Sequence, residues 1–580
     1  MLNSDYLLNL NEKQQEAVEH LDGPLLIVAG AGSGKTKVLT SRIAHIIRSH
    51  KAFSSQILAV TFTNKASKEM QIRVSKILGR EATGLPWLGT FHSISAKILR
   101  KHADAVGLKS NFTIMDQEDQ LRLIKNICKA ENIDVKKISP KYILAIIDKW
   151  KNKGYYPQDV ILKKKDVLEK SFLNIYKIYQ QKLIDLNAAD FSDLILHTVK
   201  IFKNYKDILA IYSKKFKYIL VDEYQDTNFI QSEWLKFLST TNMNLCCVGD
   251  DDQSIYSWRG AEIKNFLEFD KTYKNTKIIR LEKNYRSTQN ILNVASKLIE
   301  NNQNRVGKTL YTNQEDGDLV TLDCYRNVKD EATEISSTIE KYKGKNSLNE
   351  IAILVRAIFQ TREFEERFLK VGIPYRIIGG IKFYERAEIK DCIAYLRCIH
   401  QPKDDLSFER IINVPKRSIG NTTIKNISEY AKQNKCSLEF ASKKLIELNE
   451  IKPKTKIGLN SLLNLLEKWR YEFRKKLNHN KLLQIVLDES GYSEMLKNKK
   501  DLENENRLEN IKELLNAMKE FDNLESFLEH VALATSLDQD WESEKVNLMT
   551  LHASKGLEFN IVYLPGLIHI FLINYLLYLL

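Results

Sequence analysis

The octapeptide AGAGSGKT, at positions 29–36, lies between an apolar run and an amphipathic run. Glycines let backbone N–H groups turn inward around phosphate oxygens, and the N-terminus of a following helix adds its dipole. In such a loop Lys35 reaches the outer phosphates and Thr36 ligates Mg²⁺. Alanine at position 29 departs from the strict pattern, but the flanking strand and helix patterns disfavour a chance glycine-rich turn. The predicted phosphate-binding loop comprises Ala29, Gly30, Ala31, Gly32, Ser33, Gly34, Lys35 and Thr36.

An acidic pair ends a second apolar run, in YILVDEYQDT at positions 218–227. Asp222 would hold Mg²⁺ through water, and Glu223 would act as general base on the attacking water. A solvated acidic turn is the alternative, which the directly preceding apolar residues disfavour. Together with the glycine-rich loop, the acidic pair predicts hydrolysis of a nucleoside triphosphate rather than binding alone.

Short apolar runs that end in polar residues predict the strands that position these groups. They are LLIVAG (25–30), ILAVTFT (57–63), YILVDE (218–223) and LCCVGD (245–250). Continuous apolar runs are typical of buried parallel strands, and open α/β sheets bind ligands at the carboxyl ends of their strands. Helical, basic sequence interrupts the pattern at about 90–215, and a second α/β pattern is predicted to start near Thr276. A second helical block fills about 380–545.

The composition narrows the choice of partner. The net charge of +14 in 580 residues favours a polyanion, with nucleic acid as the first expectation. The alternative is that much of the lysine is solvated surface or reflects genomic base composition. The seven cysteines form no C-x-x-C pair and no Cys/His metal spacing, which predicts reduced thiols in a cytosolic protein without zinc or an iron–sulfur cluster.

The motifs, in their order along the chain, resemble those of the UvrD/PcrA/Rep group of superfamily 1 DNA helicases, and the UvrD/PcrA branch in particular. The matching stretches are LNEKQQEAV (Q motif), AVTFTNKASKEM (Ia), GTFHSIS (Ib), VDEYQDTN (II), VGDDDQSIYSWRGA (III), LEKNYRST (IV) and LMTLHASKGLEF (V). The resemblance extends to about Tyr563. It implies an ATP-dependent 3′→5′ helicase or translocase, with ATP and Mg²⁺ as cofactors. It also implies single-stranded DNA and single/double-strand junctions as substrates, a role in DNA repair or replication, and repair proteins as candidate partners.

The resemblance also implies an α/β fold class with two RecA-like parallel-sheet domains, each carrying a helical insertion domain. RecA-like domain 1A would comprise residues 1–89 and 211–276, and helical domain 1B residues 90–210. RecA-like domain 2A would comprise residues 277–379 and 546–580, and helical domain 2B residues 380–545. ATP would bind between 1A and 2A, and single-stranded DNA would cross their tops.

The resemblance assigns further residues to the nucleotide. Gln14 would read adenine and Tyr285 would stack on it, while Glu558 would contact the sugar. Gln253 would sense the γ-phosphate and couple it to DNA, and Arg286 would contact the same phosphate. Lys37 stands where the family often has an arginine against the base, and lysine lacks the planar stacking face, so weaker affinity for the base is expected.

The DNA path is predicted from aromatic residues in loops that follow predicted strands, because bases stack on aromatic rings without regard to sequence. The aromatic candidates are Phe62, Tyr256 and Trp258, and the polar candidates are Asn64, Arg259, Arg356 and His552. Core packing is the alternative for any single aromatic residue, although Trp258 lies in a polar loop. In NVPKRSIGN, Ser418 replaces the first glycine of the duplex-binding motif that the family carries there, so the expected duplex contact is weakened.

The sequence after Pro565 and Gly566 departs from the family pattern. Motif VI, which carries a second γ-phosphate arginine, has no counterpart, so domain 2A is expected to be incomplete and the chain to be a truncated or frame-shifted product. A non-unwinding remnant that binds ATP and DNA is therefore the alternative function. A tail-anchored membrane protein, suggested by the apolar end at 567–580, is a third; the run is shorter than a spanning helix needs, so no membrane association and a cytoplasmic location are expected.

Overall fold

The computed structural model divides the chain into two compact units, residues 1–321 (unit 1) and residues 322–580 (unit 2). The described residues are 5–79, 84–115, 117–131, 133, 138–162, 167–302, 305–342, 346–379, 383–498, 502–536 and 544–567.

A parallel sheet forms the centre of unit 1. Its strands lie in the spatial order β3-β2-β6-β7-β1-β8; a short separate pair is formed by β4 and β5. The strands of unit 1 are β1 Leu25–Ala29, β2 Ile57–Thr61, β3 Leu88–Thr90, β4 Thr113–Ile114, β5 Ala188–Ala189, β6 Tyr218–Val221, β7 Leu245–Gly249 and β8 Lys277–Leu281. Because neighbouring strands are parallel, all the carboxyl ends lie at one edge of the sheet.

The strands β1, β2, β6 and β7 confirm the apolar runs that the sequence analysis interpreted as buried parallel strands. Every residue of these strands is buried. Helices cover both faces of the sheet, which is why the strands carry apolar residues in continuous runs rather than in alternation. The α/β fold class follows from this arrangement.

The helices of unit 1 flank the sheet and also form the predominantly helical insertion between β3 and β6. They are α1 Asp5–Leu8, α2 Glu12–Glu19, α3 Lys35–Arg48, α4 Asn64–Leu78, α5 Phe91–Lys101, α6 Gln117–Ala130, α7 Pro140–Asn152, α8 Val167–Asp185, α9 Phe191–Asn204, α10 Lys206–Lys215, α11 Phe229–Leu238, α12 Lys264–Leu267, α13 Phe269–Thr272 and α14 Gln289–Ile299. A separate apolar core between α6, α7 and α8 includes Ile124, Ile147 and Tyr176.

Strand β8 differs from the expectation that a second α/β pattern starts near Thr276. It pairs with β1 in the first sheet, with Leu25 opposite Lys277 and Ala29 opposite Leu281. Residues 277–321 accordingly lie in unit 1, whereas the sequence analysis assigned them to domain 2A. The physical reason is that an apolar run predicts a strand but carries no local signal for the sheet that the strand joins.

Unit 2 contains a second parallel sheet and a helical block. Its strands are β9 Ile351–Val355, β10 Tyr375–Ile378, β11 Val546–Thr550 and β12 Ile561–Tyr563, in the spatial order β10-β11-β9-β12. Its helices are α15 Val328–Tyr342, α16 Arg362–Val371, α17 Ala387–His400, α18 Asp405–Ile411, α19 Asn421–Gln433, α20 Leu438–Glu447, α21 Pro453–Arg474, α22 His479–Glu489, α23 Tyr492–Lys497, α24 Leu502–Met518 and α25 Leu524–Ser536. Trp469 and Leu514 lie in the core of the helical block.

Most of the apolar end of the chain, residues 568–580, lies outside the described residues. Within the described ranges, no helix has both the length and the apolar character that crossing a membrane requires.

Candidate nucleotide site and nucleic-acid surface

The glycine-rich loop joins β1 to α3 at the carboxyl edge of the first sheet. Gly32 and Gly34 have φ angles of 66° and 86°, which glycine adopts without a steric penalty. Helix α3 begins at Lys35, directly after Gly34. The Nζ atom of Lys35 is buried and has no hydrogen-bond partner among the described residues. A buried ammonium at the N-terminus of a helix suits an anionic ligand, so the structure supports the predicted phosphate-binding loop.

Residues 284–286, which follow β8, dock directly on this loop. The Asn284 side-chain Nδ2 donates to the carbonyl oxygen of Ala31 (2.7 Å), and the backbone N–H of Tyr285 donates to the carbonyl oxygen of Gly32 (2.9 Å). The other amide atom of Asn284 accepts the backbone N–H of Arg286 at 2.8 Å. A Cβ on Gly32 would lie 2.7 Å from both Asn284 and Arg286, so this close approach requires glycine. The buried Asn284 therefore fixes the backbone of Arg286 beside the loop.

The other side of the loop is covered by Leu310. A Cβ on Gly30 would lie 2.2 Å from Cδ2 of Leu310, so a larger residue at position 30 would displace this leucine. The glycine at position 30 is therefore explained by the packing of a residue far along the chain. The preceding Ala29 is the last residue of β1 and is fully buried, so its methyl group is accommodated in the sheet.

The predicted base-binding residues lie around the N-terminal turn of α2. Gln14 is buried, and its Nε2 donates to the carbonyl oxygen of Ser33 (2.9 Å) while its Oε1 accepts the backbone N–H of Asn11 (3.1 Å). The Asn11 side chain also donates to the hydroxyl of Tyr285 (2.8 Å). Lys37 donates from Nζ to the carbonyl oxygen of Asn9 (2.5 Å). Gln14 and Tyr285 are thus connected through Asn11.

The acidic pair lies directly after β6, as the sequence predicted. Asp222 is buried and accepts the backbone N–H of Glu223 at 3.0 Å. Glu223 has a φ of 51°, in the left-handed region that is unfavourable for a residue with a Cβ. Its Oε2 accepts from Nε2 of Gln225 (2.5 Å), and Oε1 of Gln225 accepts the backbone N–H of Asp250 (3.0 Å). The fully buried Gln225 therefore links the end of β6 to the end of β7.

Asp250, Asp251 and Asp252 follow β7, and their carboxylate oxygens lie within 4.8 Å of one another. Such a group could hold a metal ion, but Nζ of Lys308 occupies its centre, at 2.7, 2.7 and 2.5 Å from the three carboxylates. Arg305 forms a two-pronged ion pair with Asp252, at 2.7 and 2.8 Å. Burial acts to lower the pKa of Lys308, but the carboxylates outweigh it and raise the pKa above its usual value. Two protein cations therefore compensate most of the charge of the three aspartates.

The Gln253 side chain is held by the first of these aspartates. Its Nε2 donates to Oδ2 of Asp250 at 2.6 Å, and its backbone N–H donates to the Asp250 carbonyl oxygen at 3.0 Å. Since Oδ1 of Asp250 contacts Lys308, one carboxylate connects the buried lysine to the predicted γ-phosphate sensor.

The donor set at this edge fits a magnesium nucleotide. Mg²⁺ prefers oxygen ligands, and the hydroxyl of Thr36 and the carboxylate of Asp222 supply them. Both residues lie at the carboxyl edge of one sheet, because β1 and β6 are each parallel to β7. The unpartnered ammonium of Lys35 provides the positive charge that the phosphates require.

The predicted DNA-contacting residues of unit 1 differ in exposure. Trp258 is 66% exposed in the short turn Ser257–Arg259, and its ring lies 6.4 Å from that of Tyr256. Asn64 is exposed at the first position of α4. Phe62 is half-buried, with its ring 5.7 Å from Phe91 in an edge-to-face contact, and packs against the core. The side chain of Arg259 lies outside the described part of the structure.

The remaining predicted residues lie in unit 2. Arg356 is exposed directly after β9, and His552 is half-buried in the turn after β11. Glu558 is exposed in the loop between β11 and β12. Arg356 and His552 therefore lie at the carboxyl ends of strands of the second sheet, where ligands of parallel sheets bind, whereas Glu558 lies three residues before β12 begins. Ser418 has a φ of 62°, a conformation that favours the glycine of the family motif.

Sequence reasoning missed residues that support this site from within. Asn284, Gln225 and Lys308 are each buried at a hydrogen bond or ion pair with a predicted site segment. A signal was available for Asn284 and Gln225, which lie inside the quoted motifs LEKNYRST and VDEYQDTN. Lys308 lies outside every quoted motif, and no local pattern marks it.

Two protein-family models together match nearly the whole chain. Residues 10–274 match the UvrD/REP helicase N-terminal domain, and residues 279–570 match the UvrD-like helicase C-terminal domain. A probable DNA helicase II homolog of Rickettsia conorii is 46% identical over 574 residues, which cover 98% of this chain and 87% of that protein. The ATP-dependent DNA helicase PcrA of Bacillus subtilis is 43% identical over 583 residues, which cover 98% of this chain and 78% of the relative.

Proposed function

Because the chain belongs to the UvrD/REP family of DNA helicases, we propose that it couples ATP hydrolysis to 3′→5′ movement along single-stranded DNA. The observation that carries this proposal is the buried, unpartnered ammonium of Lys35 in a glycine cradle, at the sheet edge that also bears Asp222 and Glu223. A cation, a helix N-terminus and a carboxylate base at one edge are the groups that nucleotide hydrolysis needs.

In the proposed reaction Lys35 neutralises the outer phosphates and Glu223 accepts a proton from the attacking water. Thr36 and Asp222 would hold Mg²⁺, which supplies charge neutralisation at the phosphate oxygens. Arg286 and Gln253 would contact the γ-phosphate. Hydrogen bonding orients Glu223 through Gln225 and Gln253 through Asp250, so these two side chains are held in place before a nucleotide binds.

Base recognition is proposed for Gln14 and Tyr285, with Glu558 on the sugar. The hydrogen bonds through Asn11 support this assignment, since they hold the amide and the ring at the same turn of α2. Lys37 is directed to the carbonyl oxygen of Asn9, which fits the expectation that it provides no stacking surface for the base.

The exposed ring of Trp258 supports a DNA surface in unit 1, together with Tyr256, Asn64 and Arg259. Arg356 and His552 are the proposed DNA-contacting residues of unit 2. Single-stranded DNA and single/double-strand junctions are the proposed substrates, and repair proteins the proposed partners, in a cytoplasmic protein acting in DNA repair or replication. The 1A, 1B, 2A and 2B domain division remains a proposal, with strand β8 placed in the first sheet.

The hydrolytic site is tested by two variants of the full chain. Lys35→Ala should lose nucleotide binding, whereas Glu223→Gln should keep binding and lose turnover, since only the proton acceptor is removed. Lys297→Met, at an exposed position of α14, is the matched control. DNA-stimulated ATP hydrolysis by Glu223→Gln at the wild-type rate would contradict the assignment of the base. Intact binding without any hydrolysis by the wild type would favour the remnant function.

The DNA surface is tested by Trp258→Ala. Binding of single-stranded DNA should weaken by about 1–3 kcal/mol, the contribution of one stacked base. Affinity of the wild type should also fall steeply with salt, because phosphate contacts release counterions. Tyr142→Ala, which removes another exposed ring of unit 1, is the control. Equal affinities of the wild type and Trp258→Ala across a salt series would show that Trp258 does not contact DNA.

A further inference from the structure

Residues 305–311, here called the clamp segment, contact two separate parts of the candidate nucleotide site. Leu310 covers Gly30 of the glycine-rich loop, and Lys308 lies among the aspartates that follow β7. The register of the segment is fixed by backbone hydrogen bonds, from Tyr311 N–H to the Glu282 carbonyl oxygen at 3.1 Å and from Asn284 N–H to the Tyr311 carbonyl oxygen at 2.7 Å.

We propose that Lys308 is a positioning residue of the ATPase site, which aims Gln253 at the γ-phosphate through Asp250. The inference rests on the proposed function, because it requires a nucleoside triphosphate in the glycine-rich loop. It assigns a role in nucleotide discrimination to a residue that does not itself touch the nucleotide.

The aspartate cluster concentrates negative charge. Three carboxylates within 4.8 Å repel one another unless a cation lies between them. Lys308, with a side chain 2% exposed, lies within 2.7 Å of all three. Because the ammonium is almost fully buried, water cannot take over its contacts with the carboxylates. The position of the aspartates therefore depends on the lysine.

The Asp250 carboxylate contacts both the lysine and the glutamine. Its Oδ1 contacts Lys308 at 2.7 Å, and its Oδ2 accepts from Nε2 of Gln253 at 2.6 Å. The lysine and the backbone N–H of Asp252 (3.1 Å) therefore fix one oxygen of this carboxylate, and the other oxygen holds the glutamine. If Lys308 loses its charge, repulsion from Asp251 and Asp252 turns the Asp250 carboxylate, and the Gln253 amide loses its orientation.

Asp250 is also connected to the proposed base, Glu223. The backbone N–H of Asp250 donates to Gln225 (3.0 Å), which in turn donates to Glu223 (2.5 Å). A shift of the Asp250 backbone would therefore reach the base as well as the γ-phosphate sensor, whereas a rotation of the Asp250 carboxylate reaches the sensor alone. The glycine-rich loop contacts the clamp segment through the packing of Leu310 on Gly30 rather than through a hydrogen bond to the aspartates. A change at Lys308 is thus expected to act on the γ-phosphate selectively.

The test compares the affinities of the full chain for ADP and for a non-hydrolysable ATP analogue. Lys308→Met should lower the affinity for the triphosphate about tenfold, as loss of one hydrogen bond to a charged group does, and leave that for ADP within about twofold. Lys297→Met is the control. A folded Lys308→Met chain that retains the wild-type ratio of triphosphate to ADP affinity would overturn the proposal.

A second variant decides the matter if Lys308→Met does not fold. Asp250→Asn removes one carboxylate from a cluster of three carboxylates and two cations, and so brings its formal charge from −1 to zero without leaving a buried cation unpaired. Asp250→Asn should lower the ratio of triphosphate to ADP affinity, as Lys308→Met should. A wild-type ratio in Asp250→Asn would overturn the proposal, because the path to Gln253 runs through this carboxylate.

Failure of the proposed function would show in the nucleotide affinities of the wild-type chain. A wild-type chain that binds neither nucleotide would contradict the nucleotide site itself. A wild-type chain that binds ADP and the triphosphate with equal affinity would leave the nucleotide site standing but overturn the role of Lys308, since there would be no γ-phosphate discrimination to position.

Discussion

Two buried lysines of unit 1, Lys151 and Lys308, each neutralise a group of aspartates, but they do so in different surroundings. Lys151 is 0% exposed and lies 2.6 Å from Asp190 and 2.7 Å from Asp193. Lys308 is 2% exposed and lies at the carboxyl edge of the first sheet. The two clusters therefore share the same chemistry and an equal need for charge compensation.

The difference lies in which other groups donate hydrogen bonds to the carboxylates. In the Lys151 cluster Asp190 accepts from the Tyr179 hydroxyl (3.0 Å) and caps α9 through the backbone N–H of Asp193 (2.9 Å). These hydrogen bonds join α7, α8 and α9 and stay within the helical insertion. In the Lys308 cluster an oxygen of Asp250 instead holds Gln253. A buried ion pair thus stabilises packing when its partners are structural, and orients a site when one partner belongs to it.

The largest effect is expected from Lys151→Met. The variant leaves Asp190 and Asp193 buried without a cation, which should lower the free energy of unfolding by about 3–5 kcal/mol. Hydrogen exchange of the α9 amides measures the loss, and Lys149→Met, at an exposed position of α7, the helix that carries Lys151, is the control. The ratio of triphosphate to ADP affinity should stay at the wild-type value. A fall in this ratio like that expected for Lys308→Met would erase the distinction between the clusters.

A smaller effect is expected from Tyr179→Phe, which removes one donor to Asp190 and keeps the ring. A hydrogen bond to a charged group contributes about 1.5–3 kcal/mol, so the unfolding free energy of the helical insertion should fall by that amount. Tyr142→Phe, at an exposed ring of α7, serves as the reference. Unchanged exchange rates in α9 would mean that the Lys151–Asp190 pair is satisfied without the tyrosine.

The smallest effect concerns pH and His197, whose Nδ1 lies 2.6 Å from the Tyr156 hydroxyl beside the Lys151 cluster. Burial above all, and then the charge of Lys151, lowers the pKa of His197 to about 3. Below about pH 6.5 the unfolded chain binds a proton that the folded chain does not, so wild-type stability falls as the pH drops through this value. One unit below it the loss is about 1.4 kcal/mol, and His197→Gln should not show it.

Exchange of the α9 amides as a function of pH measures this difference. Burial raises the pKa of Asp148 to about 6, which acts in the opposite direction, but this contribution is common to both chains and cancels between them. His50→Gln, at an exposed position, should retain the wild-type pH dependence. A wild-type pH dependence in His197→Gln would show that the histidine is not the source of the loss.

The strands and loops of the candidate site could be predicted from sequence because their signals are local. An apolar run followed by glycines or acids marks β1 and β6 together with Lys35 and Glu223. The support of these residues could not be predicted in this way. Lys308 meets Asp250 across 58 positions of sequence, and Asn284 meets Ala31 across 253. Such contacts depend on how strands and loops come together in the fold. The hydrophobic periodicity of the sequence does not predict that arrangement.

The assignment of β8 to the second sheet failed for a related reason. Its burial pattern is mixed, with exposed residues at Lys277 and Arg280, because β8 lies at the edge of the first sheet. An edge strand with a charged face is compatible with either sheet, and only its pairing with β1 decides.

The left-handed backbone of Glu223 has a consequence for the evolution and engineering of this chain. A glycine at position 223 would relieve roughly 1–2 kcal/mol of conformational strain, but it would remove the proposed base. It would also leave Nε2 of the fully buried Gln225 without the carboxylate that accepts from it, which costs about 1–3 kcal/mol. The relief of strain is therefore offset, and Glu223→Gly should change the free energy of unfolding little while it abolishes ATP hydrolysis. A thermostabilised variant that stays active should retain the glutamate and gain its stability elsewhere.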